Sequence, residues 1–177
     1  PGLMTGRHNS SAQHLTASCA CGGVEIALST APIATLSCCC DDCQAAAAEL
    51  EALPGAPAFR EPCGGTAAAL FPKSALKITR GRDKLTAYRL HPGARTKRMV
   101  ATCCNSFLYV AFDRGPFWVD VVHARIDGDA PPPRWRIQTR FLDTPPPDDL
   151  PNHPKYPQGL VWRIALAGAL AGLPRRG

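Results

Sequence analysis

Apolar and polar positions alternate over short stretches along most of this 177-residue chain. In "GGVEIALS", Val24, Ile26 and Leu28 alternate with polar or small neighbours after a Gly22-Gly23 turn, which is the period of a half-buried strand. "IATLS" reads as a second short strand leading into a run of cysteines. Six further stretches have the same character: "CGGTAAALFP", "ALKITRG", "KLTAYRL", "TKRMVAT", "SFLYVAF" and "FWVDVVHARI". Turn residues separate them at Pro72-Lys73, Gly81-Arg82, His91-Pro92-Gly93 and Arg114-Gly115-Pro116. Two windows read otherwise. "DDCQAAAAELEAL" is alanine-rich, can be capped by Asp41 or Asp42, and is stopped by Pro54-Gly55, which predicts a short helix. Gln158 to Leu173 has a helical pattern, with Leu160, Ile164 and Leu166 to Leu170 apolar and Arg175-Arg176 beyond its end. The expectation is a mainly β protein of sandwich or folded-over-sheet type, with one short helix after the cysteine cluster and a C-terminal helix.

Composition bounds this picture without changing it. With 45% hydrophobic and 19% charged residues, the chain is globular and long enough to bury a core without staples. A net charge of +6 suits an anionic small molecule, an acidic protein surface or nucleic acid. Nucleic acid is disfavoured, because no basic stripe is interleaved with aromatics. Of the 18 prolines, ten fall in the last third, so Ala130 to Pro157 is expected to be extended chain without regular elements. Met4 to Thr16 is polar and expected to be flexible, and the three residues before Met4 read as a cloning remnant. The expected division is thus residues 1–17 as a flexible segment, 18–126 as the folded domain, and 127–177 as a proline-rich extension ending in a helix. The start has no apolar leader core. The longest apolar run, Leu160 to Gly172, is too short to span a membrane and contains Arg163. A cytoplasmic location is expected.

The cysteines then add chemistry. Nine is an odd count, against a fully paired disulfide framework. In a reducing compartment, clustered cysteines signal metal or redox chemistry more often than disulfides. "SCACGG" supplies Cys19 and Cys21, "SCCCDDC" supplies Cys38, Cys39, Cys40 and Cys43, and "TCCNS" supplies Cys103 and Cys104. Local pairs spaced by one or two residues are how proteins deliver soft ligands to zinc. Cys40 and Cys43 have the spacing of a zinc knuckle opening a helix. Cys38 points the same way as Cys40 on an extended strand, whereas Cys39 points opposite. Without Cys39 and the isolated Cys63, seven candidate ligands divide into four plus three. Three thiolates leave one zinc position open, the mark of a catalytic site, and four close it.

Competing readings are a Cys40/Cys43 redox pair and plain core cysteines. His123 reads as a satisfied surface or core histidine more readily than as a ligand. Asp41 and Asp42 are explained as helix caps before any acid–base role. The run "GARTKR", with Arg80 and Arg82, could attract substrate carboxylates, but solvated strand edges account for single residues in it. Tyr109, Phe117 and Trp118 are expected in the core. The C-terminal helix is expected to pack on the sheet or to form a homo-oligomer contact.

The order "SCACGGVEI", "CCCDDCQ", "FPKSALKITRGRDKLTAYRL" and "ATCCNSFLYV" resembles the glutathione-dependent formaldehyde-activating enzymes, a family that includes centromere-protein-V-like proteins. The resemblance runs from about Ser18 to about Ile126. It implies a zinc-bound β-tent of folded-over antiparallel sheets. It also implies carbon–sulfur lyase chemistry, with glutathione or another small thiol and formaldehyde as the reacting pair. The family's structural zinc site falls on Cys19, Cys21 and Cys104, and its open site falls on Cys38, Cys40 and Cys43 as the catalytic group. The late C-x-x-C of the family would need a cysteine where Ala101 stands. Either Cys103 replaces it, which requires a turn at these adjacent cysteines, or the structural site is rearranged. One or two zinc ions are implied. The alternative from another class is a zinc-stabilised binding module without catalysis.

Overall fold

The computed structural model describes residues 15–171. Expectations for the segment before Leu15 and for Arg175-Arg176 therefore lie outside the described residues. The protein is mainly β with two helices, as the alternation predicts. The strands are β1 (Leu15–Ser18), β2 (Glu25–Leu28), β3 (Ala34–Cys38), β4 (Thr66–Pro72), β5 (Leu76–Arg80), β6 (Leu85–Tyr88), β7 (Thr96–Ala101), β8 (Ser106–Phe112), β9 (Trp118–Val122), β10 (Ile126–Asp127), β11 (Trp135–Ile137) and β12 (Asn152–His153). Helix α1 spans Asp41–Glu51 and α2 spans Gln158–Ala171.

Four strands form a small sheet in the order β10-β1-β2-β5, and eight form a large one in the order β12-β11-β3-β4-β9-β8-β7-β6. Most pairings are antiparallel. The exceptions are β11 with β3 and β11 with β12, which run parallel. These two strands correct the reading of Ala130 to Pro157 as chain without regular elements. Trp135, Arg136 and Ile137 are all buried, and a three-residue strand paired on both sides survives between proline runs. The polar N-terminal segment also ends sooner than expected. Leu15 and Ala17 are buried in β1, so residues within 1–17 belong to a strand.

Alternation along the large sheet sorts its two faces. Ala69, Phe71, Val119 and Val121 pack against Ala17, Val24, Ile26 and Leu28 of the small sheet, forming the core between the sheets. The opposite face is covered by the helices. On it, α1 packs through Ala47 and Leu50 against Val100, Phe107 and Val122, and α2 packs through Leu160 against Leu36, Leu70, Trp135 and Ile137. α1 begins without a side-chain cap. Its N-cap is Cys40, and Asp41 and Asp42 lie in the first turn, where carboxylates favour the helix dipole. Caps were the expected role for these acids, and the cysteine takes the position instead. Val161, Trp162, Leu166 and Leu170 on the outer side of α2 are exposed. No described helix is long and apolar enough to cross a membrane.

Candidate metal centres and the cavity between the helices

Two groups of thiols converge. Cys19 and Cys21 lie in the turn from β1 to β2. Cys103 and Cys104 lie in the four-residue turn joining β7 to β8, where Asn105 takes a left-handed φ of 51°. This turn lets adjacent cysteines face one point, as a straight strand would not allow. The Sγ atoms of Cys21 and Cys103 are 3.3 Å apart, those of Cys19 and Cys21 3.6 Å, those of Cys19 and Cys103 3.8 Å, and those of Cys103 and Cys104 4.0 Å. A tetrahedron of sulfurs about 2.3 Å from zinc has edges of about 3.8 Å, so these spacings fit a closed four-thiolate site. Gly23 is part of the cradle: a Cβ there would come 3.1 Å from the Sγ of Cys103 and 3.3 Å from that of Cys21. The Val24 N–H donates to Cys19 Sγ at 3.1 Å. Burial pushes the Cys104 thiol up, but hydrogen bonding with Ser106 and the Cys21 backbone outweighs it and brings it down to about 6.

The second group sits where β3 meets α1. Cys38 ends the strand, Cys40 caps the helix and Cys43 occupies its first turn. Their three sulfurs all lie within 4.8 Å of one another, with Cys38 and Cys40 3.5 Å apart. Hydrogen bonds from Cys38 and Cys43 hold Cys40 well below the ordinary thiol range, with Arg98 adding to the effect. The same sharing pushes Cys38 and Cys43 up. The group therefore concentrates its negative charge on Cys40, with the other two thiols beside it. Both clusters could hold a metal ion on the chemistry of their donors.

Cys39 faces away, as alternation predicts, and is fully buried. Its Sγ lies 4.0 Å from that of Cys63, so the two cysteines set aside in the sequence meet each other. Gly65 makes this approach possible, because a Cβ there would lie 2.9 Å from Cys39 Sγ and 3.1 Å from the Cys38 carbonyl oxygen. Gln44 fixes the loop from the other side, its Nε2 donating to the Cys39 carbonyl at 2.8 Å and the Phe141 carbonyl at 3.1 Å.

Cys38, Cys40 and Cys43 line one wall of a cavity of about 320 Å³. Its floor is the helix-covered face of the large sheet: Leu36, Thr66, Ala68, Leu70, Val110, Phe112, Asp120 and Val122. Leu160 and Ile164 of α2 form part of its lining. Two polar side chains in it stand out: Arg98, the last residue of the basic run "GARTKR" noted in the sequence, and Asp120, which was not singled out there. Arg98 is 4% exposed and donates to the Asp42 carbonyl at 3.0 Å and to Thr96 Oγ1 at 3.4 Å. It makes no ion pair with a carboxylate among the described residues. Asp120 Oδ1 is buried with no hydrogen-bond partner. Burial raises its carboxyl to about 7, with Trp118 pulling the other way. Period-2 alternation was the only available signal for Asp120; Arg98 and Asp120 each sit opposite Val110 on neighbouring strands.

The other sequence candidates resolve simply. His123 bonds through Nε2 with the Pro131 carbonyl at 2.9 Å and belongs to neither thiol group. Arg80 pairs with Glu25, while Arg89 and Lys97 both pair with Asp113. Tyr109 is in the core, whereas Trp118 faces the cavity, edge-to-face with Phe112 and Phe117.

Fold and site together define a β-rich protein with two cysteine groups able to bind metal, one of them opening onto a cavity. The sequence model of the glutathione-dependent formaldehyde-activating enzyme family matches residues 14–56, which contain Cys19, Cys21 and all of the Cys38–Cys43 cluster. The motif resemblance is borne out over that segment. Among curated proteins none matches. One similar solved structure is the crystal structure of a Rhodobacter sphaeroides protein, a structural-genomics target, at 21% identity and a TM-score of 0.47. That match covers 66% of this chain and 91% of the other.

Proposed function

We propose that the protein is a zinc-dependent enzyme of the carbon–sulfur lyase type, acting on a thiol adduct of a small carbonyl compound. On this reading the two sheets are the β-tent of the family, Cys19, Cys21, Cys103 and Cys104 bind a structural zinc, and Cys38, Cys40 and Cys43 form the active centre. The thiol is glutathione or another small thiol, and formaldehyde is the simplest carbonyl partner. The observation that carries the proposal is the count of three: a triad of thiols, rather than four, lines the wall of a cavity. Zinc bound there by three thiolates supplies a Lewis-acid position for a substrate sulfur.

In the adduct, the hydroxyl proton passes to solvent, the O–H electron pair closes the carbonyl, and the carbon–sulfur pair departs with sulfur as a thiolate. Addition is the reverse. The chain's residues support this in two ways. The mostly apolar lining limits the water that would compete for the carbonyl carbon. Arg98, buried and without a carboxylate partner among the described residues, places a cation near Cys40 and so favours its thiolate. The test is Cys40→Ser in the zinc-loaded protein. Turnover of S-hydroxymethylglutathione should vanish while the far-UV circular dichroism stays unchanged. Turnover that persists with a native spectrum removes the triad from the reaction.

A further inference from the structure

The cavity is larger and more apolar than formaldehyde requires, and its single orphaned polar group stands far from the thiols. Strand register gives the layout. Cys38 pairs with Thr66 across β3 and β4, the next row on this face is Leu36–Ala68–Val122, and the row beyond is Ala34–Leu70–Asp120–Val110–Arg98. Cys38 and Asp120 are thus two strands apart and four residues apart along the strand. At about 4.8 Å per strand and about 3.3 Å per residue, their Cα atoms are roughly 16 Å apart. The surface between them is Leu36, Ala68, Val122 and Leu70, and Leu160 and Ile164 of α2 complete the lining. A two-carbon-or-smaller group held at the thiols leaves this length empty. A volume of about 320 Å³ lies in the range of pockets that enclose whole organic ligands.

We propose that the cavity is a subsite for an extended aliphatic or aromatic group attached at the reacting sulfur or carbon, ending in a hydroxyl or carbonyl that hydrogen-bonds Asp120. This rests on the lyase reading above and specifies its substrate class: adducts of longer apolar aldehydes or thiols rather than of formaldehyde alone. Three features of the structure converge on it. The floor between the thiols and Asp120 is mostly apolar, with Thr66, Thr96, Arg98 and Tyr156 also lining the cavity. Asp120 lines the cavity as a half-buried side chain, and its Oδ1 has no hydrogen-bond partner, which is costly unless a ligand or water meets the carboxyl. Its carboxyl, raised to about 7, is half protonated near neutrality and can therefore donate or accept a hydrogen bond.

The test uses zinc-loaded protein and a homologous series of probes: 2-mercaptoethanol, 4-mercapto-1-butanol and 6-mercapto-1-hexanol, with 1-hexanethiol as the chain lacking the hydroxyl. Affinity is read by calorimetry, independently of turnover. Affinity should rise about fourfold per added methylene until the chain spans the floor. The hydroxyl of 6-mercapto-1-hexanol should add about three- to tenfold over 1-hexanethiol, and Asp120→Leu should erase that advantage. Ala68→Leu, which adds carbon to the floor, should weaken the long probes and spare 2-mercaptoethanol. Affinity that is flat along the series in the wild-type protein overturns the inference without need of any variant. An unchanged hydroxyl advantage in Asp120→Leu overturns the role of Asp120. Turnover of S-hydroxymethylglutathione is measured beside the binding. If it is absent while affinity climbs with chain length, the lyase reading fails and the apolar subsite stands.

Discussion

Asp120→Asn is the substitution whose effect can be worked furthest from the structure. Asparagine has the same shape and no titratable proton, so it removes the ionisation and little else. In the wild type, burial raises the carboxyl from an ordinary 3.8 to about 7. The native state therefore holds its proton over a range in which the unfolded chain has lost it. The stability associated with the neutral form is fully present below about pH 4 and is lost progressively as pH rises through about 7. Over the whole range the loss is about 4 kcal/mol at most, at about 1.36 kcal/mol per unit. Between pH 5.5 and pH 8.5 the same relation leaves about 2 kcal/mol. For a chain of this size that amounts to about 4–8 °C in Tm. The assay is thermal or urea denaturation of both proteins at the two pH values. Wild type should lose about 2 kcal/mol relative to Asp120→Asn on going from the lower to the higher pH. Contributions from the thiols are common to both proteins and cancel in the difference. A difference between the proteins that does not change with pH would refute the argument that Asp120 is desolvated in the native state.

Other expectations follow from the same structure. Cys19→Ser should release metal from the first group and destabilise the whole fold, because Cys19 and Cys21 on one sheet meet Cys103 and Cys104 on the other. Metal content by atomic absorption alongside the unfolding midpoint checks this, and full metal retention would count against the closed site. Gly81→Ala should cost more than about 2 kcal/mol, since φ is +70° there and an added Cβ presses on the Gly23 carbonyl oxygen. An unfolding midpoint within error of wild type would show that the Gly23–Gly81 contact gives way. Chelation should remove zinc from the triad with the far-UV spectrum retained, and a spectrum that collapses with the first metal lost would favour a purely structural role for both groups.

Much of the architecture was legible because alternation over five to seven residues is a local signal. The alanine-rich helix was local too, as was the opposed orientation of Cys38 and Cys39. What could not be read depends on register between distant segments. Nothing near Arg98 or Asp120 in the chain says that both will face one cavity, because they are brought onto one row by Val110 on the strand between them. The meeting of Cys39 with Cys63 likewise depends on a loop closing over Gly65. In Ala130 to Pro157 the prolines hid a short strand, because the buried "WRI" is held by two neighbours rather than by its own pattern. The turn at Cys103 and Cys104 was the requirement set by the missing cysteine at Ala101, and the structure supplies it.

The cavity is assembled from chain segments of different standing. Its thiols come from the segment that matches the family model, whereas Leu160 and Ile164 come from a helix more than a hundred residues later. On the proposed function, the reacting group and the fit around it are therefore separate modules of sequence. A graft that replaces 158–171 alone re-tailors what is admitted, while the sulfur chemistry at the other end is left as it was.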